Sequence, residues 1–270
     1  MRRDGQAPRY GFLGTGAIAS AIVTGLCDGV ADPPAIVVSP RSAAVAADLA
    51  ARFGNVAVAA SNQAVVDGST VLVVGVRPQD AAAALRGLRI PADRTIISLM
   101  AGVSLATLAD LAAPAHTIVR AIPLPAVARR QGITPIHPPN PAAAALFGPL
   151  GGVIAVAEAA SFDAFSGATA AIASYFSYIG TVAAWLAQRG IPPHDASRYV
   201  AHMFAGLAPL LSTEQPDFAA LADHHATRGG INEFLRTRLD DAGVFAQVHD
   251  GLEAVMRRIA ELSATARGDR

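Results

Sequence analysis

Tyr10-Gly11-Phe12-Leu13-Gly14-Thr15-Gly16-Ala17-Ile18-Ala19 decides the fold. A short apolar run leads into G-x-G-x-x-A, and an Ala-rich stretch follows. In such a turn the first glycine permits the tight bend and the second lets the backbone approach a pyrophosphate. The small last residue packs helix against strand. Phosphate then meets the unpaired N–H groups and positive dipole end of the helix. Gly14, Gly16 and Ala19 take these parts. Leu13, Thr15, Ala17 and Ile18 complete the candidate dinucleotide loop.

Outward from this motif the same unit repeats. Strands are expected at Ala35–Val38, Val56–Ala59, Thr70–Val76, Thr95–Ser98 and Thr117–Ala121. Helices are expected at Arg41–Phe53, Asn62–Val66, Pro78–Leu88 and Leu105–Leu111. Continuous Val/Ile/Leu strands separated by helices predict a parallel sheet covered on both faces. Prolines crowd the stretch from Ile122 to Pro149 and argue against helix there, the Ala142–Phe147 turn excepted. Gly152–Val156 reads as the last strand.

Beyond Asp163 the pattern changes and no strand signal survives. Helices are expected at Ala164–Gln188, Pro193–Ser212 with a break at Pro209, Phe218–His225, Asn232–Asp241 and Phe245–Ala266. The fold class is therefore α/β: a Rossmann-type domain with a parallel sheet over residues 1–160, then an all-α domain over 161–270. The first long helix of the second half is too apolar for a solvated surface. It predicts burial between helices, including those of a second subunit.

Composition narrows the chemistry. Of 270 residues, 52% are hydrophobic and 16% charged, which supports a large core and excludes a disordered chain. The 21 basic and 21 acidic residues cancel, so no nucleic-acid partner is expected. Every one of the 21 basic residues is Arg. Without Lys there is no Schiff-base lysine, no Walker-A lysine and no lysine acid or base. Cys27 is the single cysteine, which excludes an intrachain disulfide framework and a cysteine zinc site. A cytoplasmic setting is expected, since Arg2-Arg3 is followed by no apolar signal core. No apolar run of ~18–20 residues lacks Gly, Pro or charge, so no membrane partner is expected. His224-His225 point different ways on a helix and have no suitably spaced third ligand, so no metal is expected.

The end of the second strand selects the cofactor. Val38-Ser39-Pro40-Arg41-Ser42 carries no acid for ribose hydroxyls. Ser39, Arg41 and Ser42 can instead donate to a 2′-phosphate. NADP(H) is the expected cofactor, with NAD(H) as the alternative.

With these residues in view, the chain resembles the pyrroline-5-carboxylate reductase family over approximately residues 9–262. Residues 11–19 look like its opening motif, and Ser39-Pro40-Arg41-Ser42 is similar to its Asn-Arg-Ser phosphate segment. The resemblance implies an adenosine-side contact at Asn62. It makes Gly75-Val76-Arg77-Pro78 the counterpart of Ala-Val-Lys-Pro, and Met100-Ala101-Gly102 the segment beneath the nicotinamide. Arg120-Ala121-Ile122-Pro123 matches Arg-x-Met-Pro. In the second half, Asp163 through Gly167 resembles the start of the family's dimerisation helix. There Ser166 is either a substrate contact or a helix N-cap.

Glu214-Gln215-Pro216 resembles a Ser-Glu-Gln segment near the substrate. Thr227-Arg228-Gly229-Gly230-Ile231-Asn232 stands in for Ser-Pro-Gly-Gly-Thr-Thr, a loop whose N–H groups hold the substrate carboxylate. This implies substrate-binding roles for Gly229, Gly230 and Ile231, and catalytic roles for Glu214 and Asn232. Asn232 replaces the family's Thr and equally suits a helix cap, and Glu214 equally suits a solvated loop. Leu124-Pro125-Ala126 replaces Asn-Thr-Pro after Pro123.

The implied enzyme is an NAD(P)H-dependent oxidoreductase of the CH–NH group. It would reduce 1-pyrroline-5-carboxylate, a small-molecule substrate, to L-proline in amino-acid biosynthesis, as a homodimer or higher homo-oligomer. Two alternatives stay open: a divergent reductase of another cyclic imine or carbonyl acid, and a non-catalytic NADP-binding dimer.

Overall fold

The first strand, β1 (Tyr10–Leu13), is buried at all four positions. The computed structural model describes residues 7–212 and 215–267 of the chain. After β1 come α1 (Ala17–Cys27), β2 (Ile36–Val38), α2 (Ala43–Arg52), β3 (Val56–Val58) and α3 (Asn62–Asp67). β4 (Val71–Val74), α4 (Ala81–Leu85), β5 (Thr95–Ser98), α5 (Leu105–Ala112) and β6 (Thr117–Ala121) continue the alternation. β7 (Thr134–His137), α6 (Pro141–Phe147) and β8 (Val153–Ala155) close it.

Among the described residues these strands form one sheet, ordered β3-β2-β1-β4-β5-β6-β7-β8. β1 to β6 are mutually parallel, so strand order reverses between β1 and β4, where Leu13 pairs with Val74. Ligands of such sheets bind in the crevice beyond the strand ends at this reversal. One face of the sheet buries Phe12, Ile22, Leu49 and Phe147. The other buries Leu13, Leu72, Ile96 and Leu108. Both faces are thus covered, which is why these strands read as unbroken apolar runs.

The sheet departs from the expected all-parallel form at one place. β7 runs antiparallel to β6, with Arg120 opposite His137, and β8 follows β7 in parallel. β7 lies inside the proline-rich stretch, where the sequence speaks only against helix and no strand is expected, and it contains Pro135. Its carbonyl accepts the N–H of Ile122 at 3.1 Å, but Pro135 has no N–H to return, and the β6 ladder stops there.

Two buried contacts shape this unit. A Cβ at Gly25 would run into the Val127 carbonyl, so α1 lies directly on the turn Pro125–Arg129. Cys27 is buried and its Sγ takes a 3.2 Å hydrogen bond from Asn55 Nδ2. Burial pushes the thiol pKa up, against the opposing pull of that bond.

The remaining helices are α7 (Ala159–Ala168), α8 (Ala171–Gln188), α9 (Pro193–Ala205), α10 (Ala208–Leu211), α11 (Phe218–His225), α12 (Ile231–Asp241) and α13 (Val244–Arg267). The helix expected over Ala164–Gln188 is two helices. The chain turns at Thr169-Ala170, where Ala170 N–H bonds Gly167 O at 3.0 Å. Gly167 also lies against Met256, whose Sδ a Cβ would meet at 2.9 Å. Likewise α9 ends at Gly206, before Pro209 rather than at it.

The described chain forms two compact units. One takes residues 7–166 and α13 from Arg258 onward, and the other takes 167–257. This division and the expected one after residue 160 both fall inside α7. By length and composition alone, Ala159–Gln188 is apolar enough to cross a membrane (mean hydropathy 1.4), although the turn at Thr169-Ala170 interrupts it. In the second unit, α8 and α9 pack through Tyr175 and Tyr178, whose rings lie 6.1 and 5.9 Å from that of Phe204. Ile172, Phe176 and Trp185 of α8 stay exposed.

Candidate functional site

The loop after β1 is held from two sides. Gly14 adopts φ +91°, and a Cβ there would lie 2.7 Å from the Gly75 carbonyl oxygen. Only glycine satisfies both conditions. On the other side, Gly14 N–H donates to Ser39 Oγ at 3.0 Å, and Thr15 Oγ1 donates to the Ser39 carbonyl at 3.0 Å. Thr15 and Ser39 are buried. Ser39, expected to face a 2′-phosphate, therefore braces the loop from within.

Gly16 is the N-cap of α1. No side chain caps this helix, no acid lies in its first turn, and the space beside Gly16 is open. Other helices differ: Ser61, Ser104, Asn140 and Asp217 cap α3, α5, α6 and α11 with side-chain oxygens. The unpaired N–H groups of α1 suit an anion delivered by a ligand. Ala17 and Ile18 form its first turn beside Leu13, at the end of the buried strand.

Two arginines flank this turn. Arg41 follows β2, and Arg77 follows β4. Asp80 Oδ2 accepts a 3.0 Å hydrogen bond from Arg77 Nε and lies 3.6 Å from Arg41 Nη2. Sequence reasoning missed Asp80, and its only signal is an acid three residues after Arg77. Ser42 is the N-cap of α2, without a side-chain cap bond. Asn62 spends its amide N–H on the Ala84 carbonyl at 3.3 Å. Gly75 N–H bonds Leu13 O at 2.8 Å, which places Gly75-Val76 beside the β1 loop.

Met100 is buried behind β5, while Ala101 is exposed. Pro78, Ala101 and Gly102 line an open cleft of about 600 Å³ together with Ala82, Thr107 and Asp110.

In the second unit, the expected substrate loop opens α12. Gly230 is the N-cap, with no side-chain cap, so Asn232 is not the cap. Its Nδ2 instead donates to the His225 carbonyl at 2.8 Å, tying α12 to the end of α11. Gly229 has φ +74°, and its N–H donates to Glu233 Oε2 at 2.6 Å. The N–H expected to hold a substrate carboxylate thus already carries a carboxylate. Glu233 was missed, though an acid at the third helical position is a sequence sign of such a reach-back. Ile231 is exposed. Ser166 lies in the last turn of α7, not at an N-cap. Glu214 lies outside the described residues. Among the described residues, no three His, Cys, Asp or Glu side chains gather to hold a metal.

Comparison with known proteins agrees with this layout. Residues 9–102 match the family described as NADP oxidoreductase, coenzyme F420-dependent. Residues 159–262 match the family described as pyrroline-5-carboxylate reductase dimerisation. A pyrroline-5-carboxylate reductase of Synechocystis is 27% identical over 263 residues, covering 94% of this chain and 98% of its own. One from Methanosarcina acetivorans is 26% identical, covering 94% of this chain and 97% of its own. The structure of a pyrroline-5-carboxylate reductase from Coxiella burnetii superposes with a TM-score of 0.81 at 23% identity, covering 96% of this chain and 99% of that one.

Proposed function

Because the chain is a divergent member of the pyrroline-5-carboxylate reductase family, we propose that it is an NADP(H)-dependent reductase of a carbon–nitrogen double bond. Its leading substrate is 1-pyrroline-5-carboxylate and its product L-proline. One observation carries this reading: a single chain matches an NADP oxidoreductase family over residues 9–102 and the reductase dimerisation family over residues 159–262. When bound, NADPH supplies hydride to the imine carbon. The chain has three tasks: to hold the nucleotide, to orient the imine, and to let one proton reach nitrogen.

The residues fit a nucleotide. The uncapped N–H groups behind Gly16 suit the pyrophosphate, and Arg41 suits a 2′-phosphate. Val76, Arg77, Pro78, Met100, Ala101 and Gly102 would flank the nicotinamide end. Ser42 and Asn62 would face the adenosine end. By the family resemblance Gly229, Gly230 and Ile231 would receive the substrate, and Ser166 is a further candidate contact. Asn232 cannot ionise at neutral pH, so the proton reaches nitrogen through water or on the iminium itself. The exposed apolar residues of α8 would be covered by a second copy in a homodimer rather than by lipid.

A second reading is favoured by the contact between Glu233 and Gly229. A carboxylate resident on that N–H repels a second one, which favours an imine without a carboxyl group. The test is NADPH oxidation with 1-pyrroline-5-carboxylate and with 1-pyrroline. A site built for a charged group rejects the analogue lacking it by about two orders of magnitude or more. Preference for the carboxylated substrate supports the leading reading. Preference for 1-pyrroline supports the second. No turnover with either overturns both readings and leaves a reductase of a different cyclic imine or a carbonyl acid, or a non-catalytic NADP-binding dimer.

A further inference from the structure

Asp80 sits between two cations that belong to different crossovers of the sheet. Arg77 Nε and Arg41 Nη2 lie 3.0 and 3.6 Å from the same oxygen, Asp80 Oδ2. β1 lies between β2 and β4 in the sheet, so this carboxylate links the two strand ends that border the candidate nucleotide loop. The Asp80 side chain is 22% exposed, against 61% for Arg41 and 70% for Arg77. The arginines reach toward solvent and the acid lies beneath them. Exposed pairs of this kind contribute little to folding, so fold stability does not account for the arrangement.

We infer that Asp80 is a specificity-determining residue, whose carboxylate sets how strongly the site prefers a nucleotide with a ribose 2′-phosphate over one with a 2′-hydroxyl. The inference rests on the NADP(H) reading of Arg41. Two guanidiniums and one carboxylate leave a net charge of +1 for a phosphate monoester that carries nearly −2 at neutral pH. Arg41 must then divide its donors between phosphate and Asp80, and the two anions repel.

A 2′-hydroxyl makes no such demand. It leaves the Arg41–Asp80 pair intact and can donate to the carboxylate. That is the role an acid at the end of β2 plays in NAD sites. Here the end of β2 reads Ser39-Pro40-Arg41, and the acid enters instead from beyond β4. Both chemistries are therefore present, held against each other.

The test measures dissociation constants of NADPH and NADH, by fluorescence titration, for the wild-type chain and Asp80→Asn. Circular dichroism melts confirm that both are folded. Removing the charge should tighten NADPH about three- to ten-fold and leave NADH unchanged or about two-fold weaker. The NADPH gain should shrink when ionic strength rises from about 0.05 to 0.5 M, as screening requires. An NADPH:NADH ratio unchanged within two-fold overturns the inference. So does weaker NADPH binding in the variant, because Asp80 would then only orient Arg41. Wild-type chain that binds neither nucleotide overturns the NADP(H) reading itself, a result distinct from either.

Discussion

Arg120 of β6 and Asp163 of α7 are joined by a 2.8 Å hydrogen bond from Nη2 to Oδ1. The guanidinium also lies 4.6 Å over the ring of Phe162, which is fully buried. Arg120 itself is only 6% exposed, and its Nε has no partner among the described residues. A buried cation so placed depends on its counter-ion, Asp163. Asp163→Ala should cost about 3 kcal/mol in urea unfolding. Arg120→Met removes the charge and keeps the volume, and should cost less than half as much. An unchanged midpoint for Asp163→Ala would show that the pair contributes nothing.

Gly25 marks the closest approach between α1 and the turn at Pro125–Arg129. Adding one methyl group there drives a Cβ into the Val127 carbonyl, and neither backbone can yield alone. Gly25→Ala should lose about 2–3 kcal/mol. Gly54→Ala, where a Cβ meets nothing within 4 Å, is the control and should change stability little. Equal losses at both glycines would remove the steric explanation.

Cofactor choice gives a third expectation. Arg41→Glu places a carboxylate where the 2′-phosphate of NADPH is proposed to lie. NADPH should weaken at least about ten-fold more than NADH, because only NADPH carries the added charge. Isothermal titration with both nucleotides measures this. Equal weakening would contradict the assignment of Arg41.

The buried thiol predicts a pH dependence. Cys27 holds its proton to higher pH in the folded chain than in the unfolded one. Below the unfolded thiol pKa, about 8.5, both states are protonated and the stability is fully present. Above it the unfolded chain ionises first and gains, so stability falls as pH rises toward the folded value. Tyr10, also raised by burial, adds the same trend at still higher pH. Between pH 8 and 9.5, Tm of the wild-type chain should fall more steeply than Tm of Cys27→Ala. Parallel slopes would place the alkaline sensitivity elsewhere.

α8 exposes Phe176 at 60% and Trp185 at 52%. If a second copy covers this face, sedimentation should give a dimer, and Phe176→Glu should shift it toward monomer by ten-fold or more in dissociation constant. A wild-type chain that sediments as a monomer at micromolar concentration would defeat the homodimer.

Much of the first half was legible because local signals agreed there. β1, β5 and β6 are apolar runs bounded by breakers, and Gly14-x-Gly16 follows β1 with the spacing that a tight strand-to-helix turn needs. β7 was not legible, because the prolines around it spoke only against helix, and Pro135 fits a strand here because the β6 ladder needs no N–H from it. The turn at Thr169-Ala170 was hidden for a similar reason: an alanine-rich stretch reads as continuous helix through a break that packing imposes. At the candidate site, residue types could be read but not their directions. Ser39 looked like a phosphate donor and turns inward to Gly14, while Asp80 and Glu233, not singled out in the sequence, hold Arg77 and the Gly229 N–H.

The bond between Ser39 Oγ and Gly14 N–H has a kinetic meaning. A glycine loop left to itself samples many conformations and must be frozen by whatever binds it. Here the freezing occurs when the chain folds, since a side chain from the neighbouring strand already holds the turn. A nucleotide bound as proposed would meet a finished surface and lose little affinity to ordering it. Encounter should then be set by diffusion and orientation alone, and different nucleotides should be told apart by how long they stay.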